Sequence, residues 1–214
     1  MRNNIFIIAL ILLVSCTPDP EPKVTTPDDT DTEIAFPSDF VQDTIAIHNV
    51  FNDESFENDT MLSLLEELKI CDPDVTKPFN IKKPPCEPRF YKFFKYNKNL
   101  AWKDGFALEI RAGIDDFPLR RLIVFKRIDG KLVKLNGFAA NLAEMHTTPT
   151  GFNDLMLLFR DTEAGSFVVK YVWKKDVYEF KSLEAVDGYL VKPALQDSIS
   201  RVVKKRLEKN HMFF

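Results

Sequence analysis

After Cys86 the apolar residues recur at every second position, and that period constrains the fold more than any other feature of the chain. Phe106, Leu108, Ile110 and Ala112 are expected on one side of a strand, with Ala107, Glu109 and Arg111 on the other. Phe167, Val169, Tyr171 and Trp173 repeat the pattern against Val168, Lys170, Val172 and Lys174. Such alternation places one face of a pleated strand on a core and turns the other to water. Residues 119–128 and 131–138 flank Asp129-Gly130, a pair suited to the two positive φ angles of a tight hairpin turn. Leu122-Ile123-Val124-Phe125 is apolar on both sides, which predicts a central strand. Further strands are expected over 89–96, 141–147, 152–160, 177–182 and 189–192.

Helical spacing occurs twice. Met61, Leu62, Leu64, Leu65 and Leu68 follow Asp59, which is expected to be the N-cap. Residues 194–209 carry the apolar stripe Leu195, Ile199, Val202, Val203 and Leu207, with Arg201, Lys204, Lys205, Arg206 and Lys209 largely elsewhere. The expected fold is α+β and mainly β: an antiparallel meander sheet with one N-terminal helix and one C-terminal amphipathic helix packed on the sheet. Residues 37–214 are long enough for a single β-rich domain with its own core.

The first thirty-six residues read differently. Met1-Arg2-Asn3-Asn4 gives a cationic start, Ile5 to Val14 an unbroken apolar run, and Ser15-Cys16 the end of that run. This is the layout of a secretory signal, too short to span a bilayer. Leu13-Val14-Ser15-Cys16 resembles the lipobox of bacterial lipoproteins. The resemblance implies a signal peptide over 1–15, cleavage before Cys16, and a diacylglycerol with its palmitate-like chains on the Cys16 thiol. Membrane attachment through that lipid is then expected. Thr17-Pro18-Asp19-Pro20-Glu21-Pro22 and the acidic residues after it have little apolar surface to offset ordering entropy, so 16–36 is read as a lipidated Pro/Thr/Asp-rich tether. Acids soon after the lipidated cysteine also resemble the surface-export signals of Bacteroidota lipoproteins, although Thr17 and Pro18 intervene. The expected location is the cell envelope, at the outer membrane, on its periplasmic face or at the cell surface.

Charge divides the chain in the same way. Thr17 to Thr60 holds twelve acids and one base, a net of −11, whereas Met61 to Phe214 holds twenty acids and twenty-seven bases, a net of +7. A basic body attracts anionic partners, and an exported one is not expected to meet nucleic acid. Cys71 and Cys86 lie fifteen positions apart, and in an exported chain they are expected to form a disulfide. With no histidine nearby they fall short of the four ligands of a structural metal site, and no metal or cofactor is expected.

Catalytic signatures are sparse. His48, His146 and His211 show no metal-binding spacing, and neither a phosphate loop nor a nucleophile elbow is present. Asp115, Asp116, Asp154 and His146 are the acid/base candidates if the chain is a hydrolase of envelope polymers. The richer pattern is basic and aromatic. Lys77, Lys82, Lys83, Arg89, Lys92, Lys95 and Lys98 interleave with Phe79, Phe90, Tyr91, Phe93, Phe94 and Tyr96. Arg89, Tyr91, Lys92, Phe93, Lys95 and Lys98 are its candidate contacts for a protein or anionic glycan partner. The same arrangement also suits an edge strand whose rings are core and whose lysines block pairing with other chains. Finally, Thr150-Gly151-Phe152-Asn153-Asp154-Leu155 with Tyr171-Val172-Trp173 and Tyr178 resembles one strand-turn unit of envelope lipoproteins related to periplasmic lysozyme inhibitors. That unit has glycine in the turn where this chain has Lys174-Lys175-Asp176, and no functional residue is carried over from it. Two classes therefore remain, a non-enzymatic binding lipoprotein acting as inhibitor, accessory or assembly factor, and a hydrolase.

Overall fold

In a computed structural model of the protein, the described residues are 41–48, 50–52, 54–74, 83–112 and 119–209. The signal, the tether with Cys16, the Asp115-Asp116 pair, and Lys77, Phe79 and Lys82 of the basic stretch lie outside them. The chain runs β1 (Thr44–Ala46), α1 (Asp59–Leu68), β2 (Tyr91–Phe94), β3 (Gly105–Ala112), β4 (Leu119–Ile128), β5 (Lys131–Phe138) and β6 (Asn141–His146). It continues with β7 (Asp154–Asp161), β8 (Gly165–Lys174), β9 (Val177–Val186), β10 (Tyr189–Leu190) and α2 (Pro193–Lys209). The fold is α+β and mainly β, and its strand pairs are antiparallel.

The meander is divided between two sheets. One has the order β2-β3-β4-β5 and the other β1-β6-β7-β8-β9-β10, so the chain changes sheet between Phe138 and Asn141. Strand twist makes a single open sheet of this many strands hard to keep without curling or splitting. β4 lies inside its sheet, as its two apolar faces require. Phe94, Ala107, Leu122, Val124 and Phe138 of the smaller sheet join Leu142, Leu157, Val169, Tyr171 and Leu183 of the larger one in a single core cluster, to which α2 adds Leu207. On its other side the smaller sheet packs Phe93, Phe106, Leu108 and Phe125 against Met61, Leu64 and Leu65 of α1. Being covered on both sides, β3 is not the half-wet strand its alternation suggests. Glu109, expected in water, is fully buried because its side of the strand is covered by the second sheet.

Local chemistry fixes the ends of these elements. Asn58, rather than Asp59, caps α1: its side chain accepts the Thr60 amide at 2.8 Å, and Asp59 occupies the first turn, where its charge favours the helix dipole. The Asp129-Gly130 and Asp187-Gly188 turns both use two positive φ angles, 50° and 76° in the first and 47° and 82° in the second. The β8–β9 turn adopts the same form at Lys175 and Asp176, with φ of 49° and 67° and no glycine to relieve the left-handed conformation.

Cys71 and Cys86 are joined, with their Cα atoms 4.9 Å apart. Beside the bridge the Asp72 amide donates to the Pro84 carbonyl at 2.8 Å and the Cys86 amide to the Asp72 carbonyl at 3.1 Å. The bridge thus ties the segment leaving α1 to the segment entering β2. Replacing both cysteines by serine is expected to remove about 3 kcal/mol of stability, the chain-entropy value for a loop of this size. Urea denaturation without reductant checks it, and an unchanged midpoint would refute it.

Candidate binding surfaces

β2 is an edge strand; Tyr91 and Phe93 lie on one side of it, and Lys92 lies on the other with Phe94. Tyr91 and Phe93 are buried. The Tyr91 hydroxyl donates to the Pro84 carbonyl at 3.2 Å, and burial pushes its pKa up. Phe93 meets Phe56 and Trp102 edge-on, each with ring centres 6.4 Å apart. These two rings are used inside the domain rather than presented to a partner, because α1 and the disulfide segment cover that side of the sheet.

Lys92 faces the other way and is also committed. Its ammonium donates to the carbonyls of His48 and Val50, holding the segment after β1 across the strand. Among the described residues, four other cations of the stretch reach the surface: Lys83, exposed ahead of Cys86, and Arg89, Lys95 and Lys98. Arg89 lies 4.9 Å over the Phe90 ring and pairs with Glu87 at 2.6 Å. Lys95 sits 5.1 Å over the Trp102 ring, and Lys98 is exposed in the turn that follows.

Beyond β2 the two sheets are joined by aromatic rings and side-chain amides. Tyr96, with no exposed surface, stacks on Trp173 at 5.4 Å and meets Tyr178 edge-on at 6.1 Å, while Trp173 stacks on Phe152 at 4.3 Å. The Tyr96 hydroxyl donates to the Phe125 carbonyl at 3.3 Å. The Asn136 side chain pairs with the backbone of Tyr178 as a strand would, accepting from its amide at 2.8 Å and donating to its carbonyl at 3.0 Å. Asn153 sends its backbone amide to the Tyr96 carbonyl at 2.7 Å, and its own carbonyl accepts the Tyr178 hydroxyl at 2.7 Å. Burial drives the Tyr96 and Tyr178 hydroxyls away from ionisation, so they act as donors. The Thr150–Tyr178 unit singled out in the sequence, Asn153 included, therefore supplies one half of this seam, and Asn136 is the member that sequence reasoning missed. Its only signal was an amide side chain among strand residues.

Of the acid/base candidates, His146 and Asp154 come together on the side of the larger sheet that faces away from the core. Register places His146 opposite Asp154. His146 Nε2 lies 3.1 Å from Glu144, and Lys170 Nζ lies 2.9 Å from Asp154, whose side chain is only 12% exposed. Met156, opposite Lys170, is buried yet belongs to neither core cluster. This is a pleated face bearing one ion pair, Lys170 with Asp154, and one imidazole–carboxylate contact, His146 with Glu144. Two grooves lie elsewhere. One of about 280 Å³ runs between β9 and α2 beside Tyr171, Phe180, Lys204 and Leu207, and one of about 90 Å³ runs between residues 50–57 and β2. Among the described residues, no three His, Cys, Asp or Glu side chains are placed to hold a metal ion, and no helix is long and apolar enough to cross a membrane.

The chain matches no family model, no curated protein and no solved structure.

Proposed function

We propose that the chain is a lipid-anchored lipoprotein of the cell envelope whose β-rich domain works by binding a protein or an anionic glycan. The observation that carries this reading is the set of cations left outside β2. Lys95 is braced on Trp102 and Lys98 stands in solvent, on a body whose net charge from Met61 onward is +7. Cations backed by aromatic faces suit carboxylate and sulfate groups of a glycan as well as acidic side chains. Lys92 is excluded from the contact set, because it holds the His48–Val50 backbone.

The double variant Lys95→Glu, Lys98→Glu is expected to weaken association with isolated envelope fractions by on the order of 1 kcal/mol per residue at low salt, with the difference shrinking as salt rises. Identical isotherms for the two proteins would remove the surface from consideration. A second reading, a hydrolase acting on envelope polymers, draws on the register that brings His146 opposite Asp154 between Glu144 and Lys170. It requires that the protein release soluble fragments from purified envelope polymer and that Asp154→Asn stop the release.

A further inference from the structure

The apolar stripe of helix α2 is covered only in part. Ile199, Val203 and Leu207 pack into the intersheet cluster, and Ser200 Oγ accepts the Leu183 amide at 3.0 Å, which docks the helix on β9. The outward side carries Leu195 and Val202, seven residues and hence about two turns apart, and they are 53% and 67% exposed. Exposed Arg201 and Lys205 flank them. Just before the helix, Tyr189 and Leu190 of β10 are 80% and 85% exposed. Single exposed apolar residues are ordinary on any protein, but four within fourteen positions, interleaved with cations, form the pattern of a helix that lies in a membrane interface.

Charge points the same way. Residues 192–209 hold six bases and two acids, a net of +4. Of those bases Arg206 is spent on Asp161 and Glu163, while exposed Arg201 gives only its Nε to the Asp197 carbonyl at 3.3 Å and keeps its two terminal nitrogens, beside exposed Lys205, toward an external anion. An exposed Tyr-Leu pair next to such cations suits the headgroup region, where tyrosine is enriched and leucine reaches the acyl boundary. A protein partner would instead need a pocket for each protruding side chain.

We infer that the outward side of α2, together with Tyr189 and Leu190, rests on anionic phospholipid of the bilayer to which the chain is anchored. The inference relies on the lipid anchor of the proposed function for proximity. Residues 17–43 reach at most about 95 Å even when fully extended, so an anchor at Cys16 keeps the bilayer at high effective concentration.

The test uses the mature protein carrying Ser198→Cys, an exposed position on the outward side of α2. With Cys71 and Cys86 bridged and Cys16 acylated, the new thiol alone accepts a polarity-sensitive fluorophore. The protein is reconstituted into vesicles of phosphatidylcholine alone or mixed with phosphatidylglycerol. The expected result is a blue-shifted emission, quenched by brominated acyl chains, in the anionic vesicles only. High salt should reverse it, and Leu195→Ser with Val202→Ser or Arg201→Glu with Lys205→Glu should abolish it. Lys131→Glu, at the start of β5 in the smaller sheet, should change nothing. Equal emission in both vesicles, or a shift that follows an added acidic protein or dimer formation instead of lipid, overturns the inference. Mass analysis of the Cys16 peptide reports the anchor separately. If it carries no lipid, the labelled protein is mixed with preformed vesicles: flotation with the anionic ones upholds the α2 surface, and its absence there overturns it.

Discussion

Replacing Tyr96 by alanine is expected to lower the stability of the domain by about 4 kcal/mol, within the range for truncating a buried aromatic side chain. Tyr96 has no exposed surface and lies where the two sheets meet, with Trp173 and Tyr178 of the larger sheet against its ring. Its removal leaves a cavity that Trp173 cannot fill while it remains stacked on Phe152. Tyr96→Phe keeps the ring and loses one hydrogen bond to the Phe125 carbonyl, so it should cost only about 1 kcal/mol. Urea unfolding of the three proteins decides the matter. If the alanine variant lost no more than the phenylalanine variant, the ring contacts would not be what holds the sheets together.

Cys16→Ser is expected to abolish lipid attachment completely. The thiol of Cys16 is the atom that accepts the diacylglycerol in the lipoprotein reading, and a serine hydroxyl is a much weaker nucleophile at neutral pH. Each methylene buried by a lipid chain contributes roughly 0.8 kcal/mol of membrane affinity, so in that reading the acyl chains of one residue would account for nearly all of the attachment. The folded domain should be unaffected, since its disulfide pairs Cys71 with Cys86 and leaves Cys16 out. Cells fed labelled palmitate provide the measurement, and equal label in the two proteins would end the lipoprotein reading.

Hairpins and helices were legible in this sequence because their signals are local. Asp129-Gly130 dictates its turn through backbone conformation alone, and β4, β5 and α2 begin and end within a residue or so of the positions their patterns give. What depends on layer packing was not legible. Alternation shows that a strand has two different sides, but not whether a second layer covers the polar one, and Glu109 is buried for that reason. The three residues of β1 are too few to establish a period, and their pairing with β6 spans about a hundred positions of sequence. The basic aromatic stretch was visible as composition, yet only the sheet order shows that Tyr91 and Phe93 turn inward and that Lys92 bonds to the chain's own carbonyls. His146 and Asp154, eight positions apart, become neighbours only through the β6–β7 register.

The pairing of β1 with β6 bears on how the domain responds to mechanical force. Among the described residues, a pull arriving along the chain from its N-terminal side loads Asp43, which exchanges hydrogen bonds with Thr147, and then β1 and the bond from the Ile47 amide to the Ala143 carbonyl. Those few bonds lie at one margin of the larger sheet, with β1 contributing only three exposed residues. Traction would therefore peel β1 away first, like a short zipper, and would next load the grip of Lys92 on His48 and Val50. The seam around Tyr96 and the disulfide lie further along the chain, so the domain can yield at its first strand and re-form without unfolding its core.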